Sequence, residues 1–133
     1  GIEQQVDFSY EETYNYSKKL ILNNPNLKAL WLQGSNRYKA ALDAITELGK
    51  RDEILLICFD SEPEFLQMIP EGKLIGAAMQ QPFLMGEKAV EQFDNYFNNS
   101  NVEKNIQLDI LAISEDNIQQ EMKIIKRNVL GIK

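Results

Sequence analysis

Short apolar runs of strand length alternate along this chain with longer stretches whose apolar positions recur every three or four residues. Leu27 to Leu32 and Glu53 to Phe59 are the first two runs. Leu74 to Met79 and Ile106 to Ile113 are two more, the last alternating at Ile106, Leu108 and Ile110. A half-buried strand alternates with a period of two, whereas the nearly continuous Ile54-Leu55-Leu56-Ile57-Cys58-Phe59 suits a strand covered on both faces. Between the runs, Tyr38, Ala41, Leu42, Ile45 and Leu48 share one side of a helix that Gly49 stops. Met85, Ala89, Phe93 and Phe97 predict another, ended by Asn98-Asn99-Ser100-Asn101. Ile118, Met122 and Ile125 predict a last one, begun by Ser114 with Glu115 and Asp116 in its first turn. At the front, Ser9 with Glu12 three positions on is a capping box, opening a helix that runs to about Asn23 before Pro25. Ser61 and Glu64, with Pro63 in the first turn, repeat that signature.

Helix and strand thus alternate from end to end, beginning and finishing with a helix. Such alternation with short connections implies right-handed crossovers and an α/β fold, a mainly parallel sheet with helices on both faces. The 133 residues hold one core's worth of material, so residues 1–133 are read as a single α/β unit.

Charge and composition narrow the function. The net charge of −6 disfavours nucleic-acid partners, whose binding rests on Lys and Arg neutralising phosphates. The basic residues cluster only at Lys123, Lys126 and Arg127, where they suit a helix C-terminus. The chain has no histidine, which removes the Ser-His and Cys-His nucleophile pairs and the usual zinc ligands together. There is no glycine-rich phosphate loop, and Asp60 with Glu62 is the only carboxylate pair worth considering, so neither an enzyme nor a cofactor nor a metal centre is expected. Cys58, alone in an apolar run, reads as a buried, inert thiol.

In open α/β sheets ligands bind beyond the carboxyl ends of the strands. Three junctions there are polar directly after an apolar run: Gln33-Gly34-Ser35-Asn36, Phe59-Asp60-Ser61 and Gln80-Gln81-Pro82. A carboxylate, amides and a flat ring suit a polyhydroxylated solute, accepting and donating to hydroxyls and covering C–H groups. Plainer roles stand beside these: Ser35 or Asn36, and Asp60 or Ser61, as helix caps, Gly34 as a turn residue, and Phe8 as a hydrophobic staple.

The stretch Asn24-Pro25-Asn26-Leu27-Lys28-Ala29-Leu30, with the turn after it and Ala40-Ala41-Leu42-Asp43-Ala44-Ile45, resembles the type 1 periplasmic-binding-protein superfamily. The likeness continues through Ile57-Cys58-Phe59-Asp60-Ser61, Glu71-Gly72-Lys73-Leu74, Gln80-Gln81-Pro82-Phe83, Gly86 and Ile113-Ser114-Glu115-Asp116-Asn117-Ile118. It implies a partial domain: residues 1–80 from the C-terminal lobe, 81–110 belonging to the N-terminal lobe, and 111–133 forming the closing strand and last helix. It also implies Phe8 stacking on a sugar, Gly34 and Ser35 standing where Asn and Asp are usual, Asp60 binding ring hydroxyls beside Phe59, and Gln80 contacting the ligand. The function implied is binding, not transforming, a sugar-like solute for an ABC-type importer in the membrane, outside the cytoplasm. The tail Glu121 to Lys133 favours this over the alternative, the cytoplasmic effector domain of a lactose-repressor-type regulator. With part of each lobe absent, a homodimer or exchange of elements is also expected.

Overall fold

A computed structural model describes residues 9–132. The elements are α1 (Tyr10–Asn23), β1 (Ala29–Leu32), α2 (Tyr38–Glu47), β2 (Leu55–Phe59), α3 (Phe65–Met68), β3 (Gly76–Met79), α4 (Pro82–Phe97), β4 (Leu111–Ser114) and α5 (Ile118–Ile124). A 3-10 turn, Ser35–Arg37, precedes α2, and a π-helical turn, Ile125–Val129, extends α5.

The strands form one sheet in the order β1-β2-β3-β4. The first three run parallel, as the alternation with helices predicts, with Leu32 opposite Cys58 and Phe59 opposite Ala78. The fourth is antiparallel, so the sheet is mainly but not wholly parallel, and it pairs Leu111 with Met79 and Ser114 with Gly76. The geometry explains the reversal. Helix α4 leaves from the carboxyl edge just past Met79, and the chain comes back to that same edge at Leu111, so β4 must run against its neighbour. Residues 106–110, predicted as strand, are left without a ladder partner because β3 ends where α4 begins.

Leu30, Leu56, Cys58, Ala77, Met79 and Ile113 point to one side of the sheet and are buried there with Ile45, Phe65, Ile69, Ile118 and Ile125. Their alternates face the other way. Trp31 and Leu55 are exposed, and Ile57 and Phe59 are half-buried. The continuous run in β2 is therefore covered on one side only among the described residues. Burial pushes the Cys58 thiol up to about 12, which keeps it protonated and unreactive near neutrality.

Local signals fared unevenly. Ser9 caps α1 as its sequence predicts, accepting from the Glu12 amide at 3.1 Å. Ser61 caps nothing, because Pro63 and Glu64 form a turn and α3 starts only at Phe65. The last helix starts at Ile118, not Ser114. Asn117 folds back first, taking the Ser114 amide at 2.9 Å and donating to the Ala112 carbonyl at 2.8 Å, which holds 114–117 as a turn. Arg127 of the basic cluster pairs with Glu87 on α4.

Candidate functional site

Because β1, β2 and β3 are parallel neighbours in register, their carboxyl ends fall side by side on one rim. Gly34 and Asp60 each stand two residues past a paired position, Leu32 opposite Cys58, so the first two junctions are adjacent. The third is joined to the second directly. The Asp60 amide donates to the Ala78 carbonyl at 2.9 Å, prolonging the β2–β3 ladder by one bond. Then Gln80 Nε2 donates to Asp60 Oδ1 at 2.6 Å, between two half-buried side chains.

Asp60 reaches that position through an uncommon backbone. Its φ is 68°, one of two positive values among the described non-glycine residues. A side chain in the left-handed region crowds its own carbonyl, and Asp tolerates this better than most because its short polar arm bonds locally. The turn swings the carboxylate out of the strand's alternation and across to Gln80. No helix-capping bond is made there, so the capping alternative for Asp60 falls away.

At the first junction Gly34 has φ 91°, and only the Asn36 Oδ1, at 3.4 Å, would meet a Cβ built on it. A residue with a side chain is strained there, and the space beside the turn stays open. The 3-10 turn starting at Ser35 carries no side-chain cap from Gly34. Phe59 lies on the open face of the sheet with Leu55 and Ile57, half-buried, and not on the face of the core. Phe8 lies outside the described residues. The rim thus joins Asp60 and Gln80, sets Gly34 beside them, and leaves the Phe59 ring on the adjoining sheet face.

Sequence reasoning set Gln81 on the rim beside Gln80, and the structure turns it inward instead. Gln81 is buried, its Nε2 donating to the Asp109 carbonyl at 2.8 Å and its Oε1 accepting from Asn128 Nδ2 at 2.7 Å. An amide at a helix start already provided with Pro82 was the available signal; its partners, 28 and 47 residues away, were not legible. A shallow concavity at residues 23–27 sits at the amino end of β1, away from this rim, and contains no charged side chain.

The chain is thus a mainly parallel α/β sheet whose carboxyl rim carries one carboxylate and amide side chains. Residues 2–101 match the family model described as the periplasmic binding protein domain, and the chain belongs to that family. It is 27% identical over 110 residues to the ribose import binding protein RbsB of Salmonella typhimurium, covering 83% of this chain and 37% of that protein. It is 23% identical over 83 residues to the D-allose-binding periplasmic protein of Escherichia coli, covering 62% of this chain and 27% of the relative. Among solved structures, an ABC transporter solute-binding protein from Agrobacterium vitis with bound D-fucose superposes with a TM-score of 0.80 at 21% identity, covering 96% of this chain and 43% of that one. Another from Actinobacillus succinogenes, with bound D-allose, gives 0.78 at 18% identity over 85% and 40% of the two chains. The chain spans about two fifths of the length of these structures. The relatives are binding proteins rather than enzymes.

Proposed function

We propose that this chain is the later part of the solute-binding component of an ABC-type sugar importer, holding a small polyhydroxylated ligand at the carboxyl rim without transforming it. The observation that carries this is the bond between Gln80 and Asp60. It pre-aims a carboxylate whose second oxygen is left to accept hydroxyl protons, and orients the Gln80 carbonyl for another. Adjacent hydroxyls on a sugar ring offer that pattern of donors. Gly34 and Ser35 border the ligand, Phe59 flanks it, and Phe8 supplies the stacking ring. Gly34 contributes room and no side-chain bond. Import binding proteins among the relatives support the importer over the repressor-type effector domain, and with the importer reading go a location outside the cytoplasm and a membrane transporter as partner.

Thermal-shift measurements with D-ribose, D-allose and D-fucose test the reading. Binding to the native state alone adds RT ln(1 + [L]/Kd), about 2.7 kcal/mol at a hundredfold excess over Kd, so the melting temperature is expected to climb by several degrees. Gln80→Ala is expected to remove that climb. No response to any sugar, with a clear response to an amino acid or other non-sugar solute, would reject the sugar assignment.

We further infer that residues 1–80 and 111–133 belong to one lobe of a two-lobed protein and residues 81–110 to the other. The departure and return of the chain at one edge of the sheet support this. So does the surface of α4, which has no buried residue and exposes Val90, Phe93, Tyr96 and Phe97, each by 65% or more. Apolar groups at that spacing form a helix stripe that ordinarily meets a partner. The other lobe is that partner in the complete protein. The isolated chain is expected to self-associate through the same stripe, with a sedimentation coefficient rising with concentration between about 10 and 500 μM. A monomer throughout that range would count against it.

A further inference from the structure

The root of α4 is held by a part-buried polar bridge, centred on the buried Gln81, that ligand contact does not use. Gln80 and Gln81 are consecutive and face opposite ways, the first toward Asp60, the second into the interior. A carbonyl has no proton to give. The Asp109 carbonyl therefore dictates which end of the Gln81 amide turns toward it, and the remaining Gln81 oxygen dictates the same for Asn128. Three separate segments are joined in this way: the β3–α4 junction, the approach to β4, and the C-terminal helical turn.

Little else restrains α4. Its main neighbour is the turn Ile125–Val129. The Arg127–Glu87 pair at 3.1 Å is exposed and worth little. Phe83 fits against Gly131, where a Cβ would come within 2.2 Å of the ring, and the φ of 66° there also calls for glycine. The Phe83 and Glu87 contacts are in the first two turns of α4, and farther along only an exposed bond, from the Glu103 amide to Gln92 Oε1 at 2.7 Å, is added among the described residues, so the far end depends largely on how the root is set.

We propose that Gln81 and Asn128 are positioning residues. Their amide pair fixes the angle at which α4 leaves the sheet and, through the shared peptide bond, holds Gln80 against Asp60. The consequence for solute capture rests on the ligand reading above; the mechanical role does not.

Gln81→Met keeps the volume of the side chain and removes both bonds, and Asn128→Leu removes one. Amide hydrogen exchange and the side-chain NH2 resonances of Gln80 report the outcome. In each variant the amides of Met85 to Val90 are expected to exchange about tenfold faster, because opening at the root no longer breaks the bridge. The Gln80 resonances are expected to move toward their position in Asp60→Ala, while Leu56 and Cys58 keep their rates. Acceleration of α4 in the double variant should not exceed that of Gln81→Met. Unchanged α4 exchange and Gln80 signals would overturn the proposal, as would equal acceleration of β2, which would mark a general loss of stability. Should Gln81→Met fail to fold, the half-buried Asn128→Leu is judged by the same criteria. Sugar titration separates the two readings: α4 released and Gln80 displaced in a protein that binds no sugar would leave the bridge standing and reject the ligand assignment.

Discussion

Asp60→Gly is expected to lose sugar affinity by on the order of a hundredfold while its ligand-free melting temperature stays within a few degrees of the parent. Bonds from hydroxyls to a carboxylate contribute roughly 1.5–3 kcal/mol each, and removing the carboxylate removes them all. Stability responds differently, since two effects of opposite sign meet at this residue. Glycine relieves the positive φ of 68°, a gain of about 1 kcal/mol. Loss of the bond from Gln80 to the carboxylate costs about 1.5 kcal/mol, most of which the relieved strain offsets. Asp60→Ala lacks the compensation, because alanine keeps the strain and drops the bond, so it is expected to be less stable than the glycine variant by about 1 kcal/mol. Calorimetric titration with the responding sugar, alongside thermal melts without it, checks both halves. A glycine variant that binds at parental affinity would show that the carboxylate does not touch the ligand.

Phe65→Ala is expected to cost about 3–5 kcal/mol in chemical denaturation, a large share of the 5–15 kcal/mol available to a domain of this kind. The ring is fully buried and meets Tyr38 edge-on, centroids 5.0 Å apart and planes at 88°. Its helix is only four residues long, too short to persist by its own backbone bonds, so α3 stays formed because Phe65 and Met68 are anchored in the core. Releasing that anchor also frees the loop from Asp60 to Glu64, which hangs between β2 and α3. Sugar affinity is therefore expected to fall in Phe65→Ala although the residue is not at the rim. Phe65→Leu, which nearly fills the space, is expected to cost about 1.5 kcal/mol or less and to retain binding. A loss below about 1 kcal/mol for alanine would mean that the core closes over the gap.

Much of the element order could be read from the residues. Ser9 with Glu12 marked the first helix, and the runs ending at Leu32, Phe59 and Met79 marked the three parallel strands to within a residue or two of their ends. Those signals are local: a cap acts over three residues, a strand's apolar run over five. Errors came where a distant partner decided. Ile106, Leu108 and Ile110 alternate like a strand but have no neighbouring strand to pair with. One error was local: Ser114 looks like a cap, but Asn117, three residues on, captures its amide first. Phe93 and Phe97 follow a helical period correctly, although the periodicity says nothing about whether a partner covers them.

The rim shows the same division. Three polar junctions, each directly after an apolar run, were visible in the order of residues, and with the parallel rule they pointed to one edge of the sheet. Apolar periodicity and turn chemistry determined the α/β class and where along the chain polar groups would emerge, because these depend on near neighbours. The tertiary structure alone decided that β4 runs backward, that Asp60 turns into the left-handed region to meet Gln80, and that Gln81 is tied to Asp109 and Asn128. Each of those joins groups 20 or more residues apart, and hydrogen bonds over such distances exist only once packing has brought the strands and helices together.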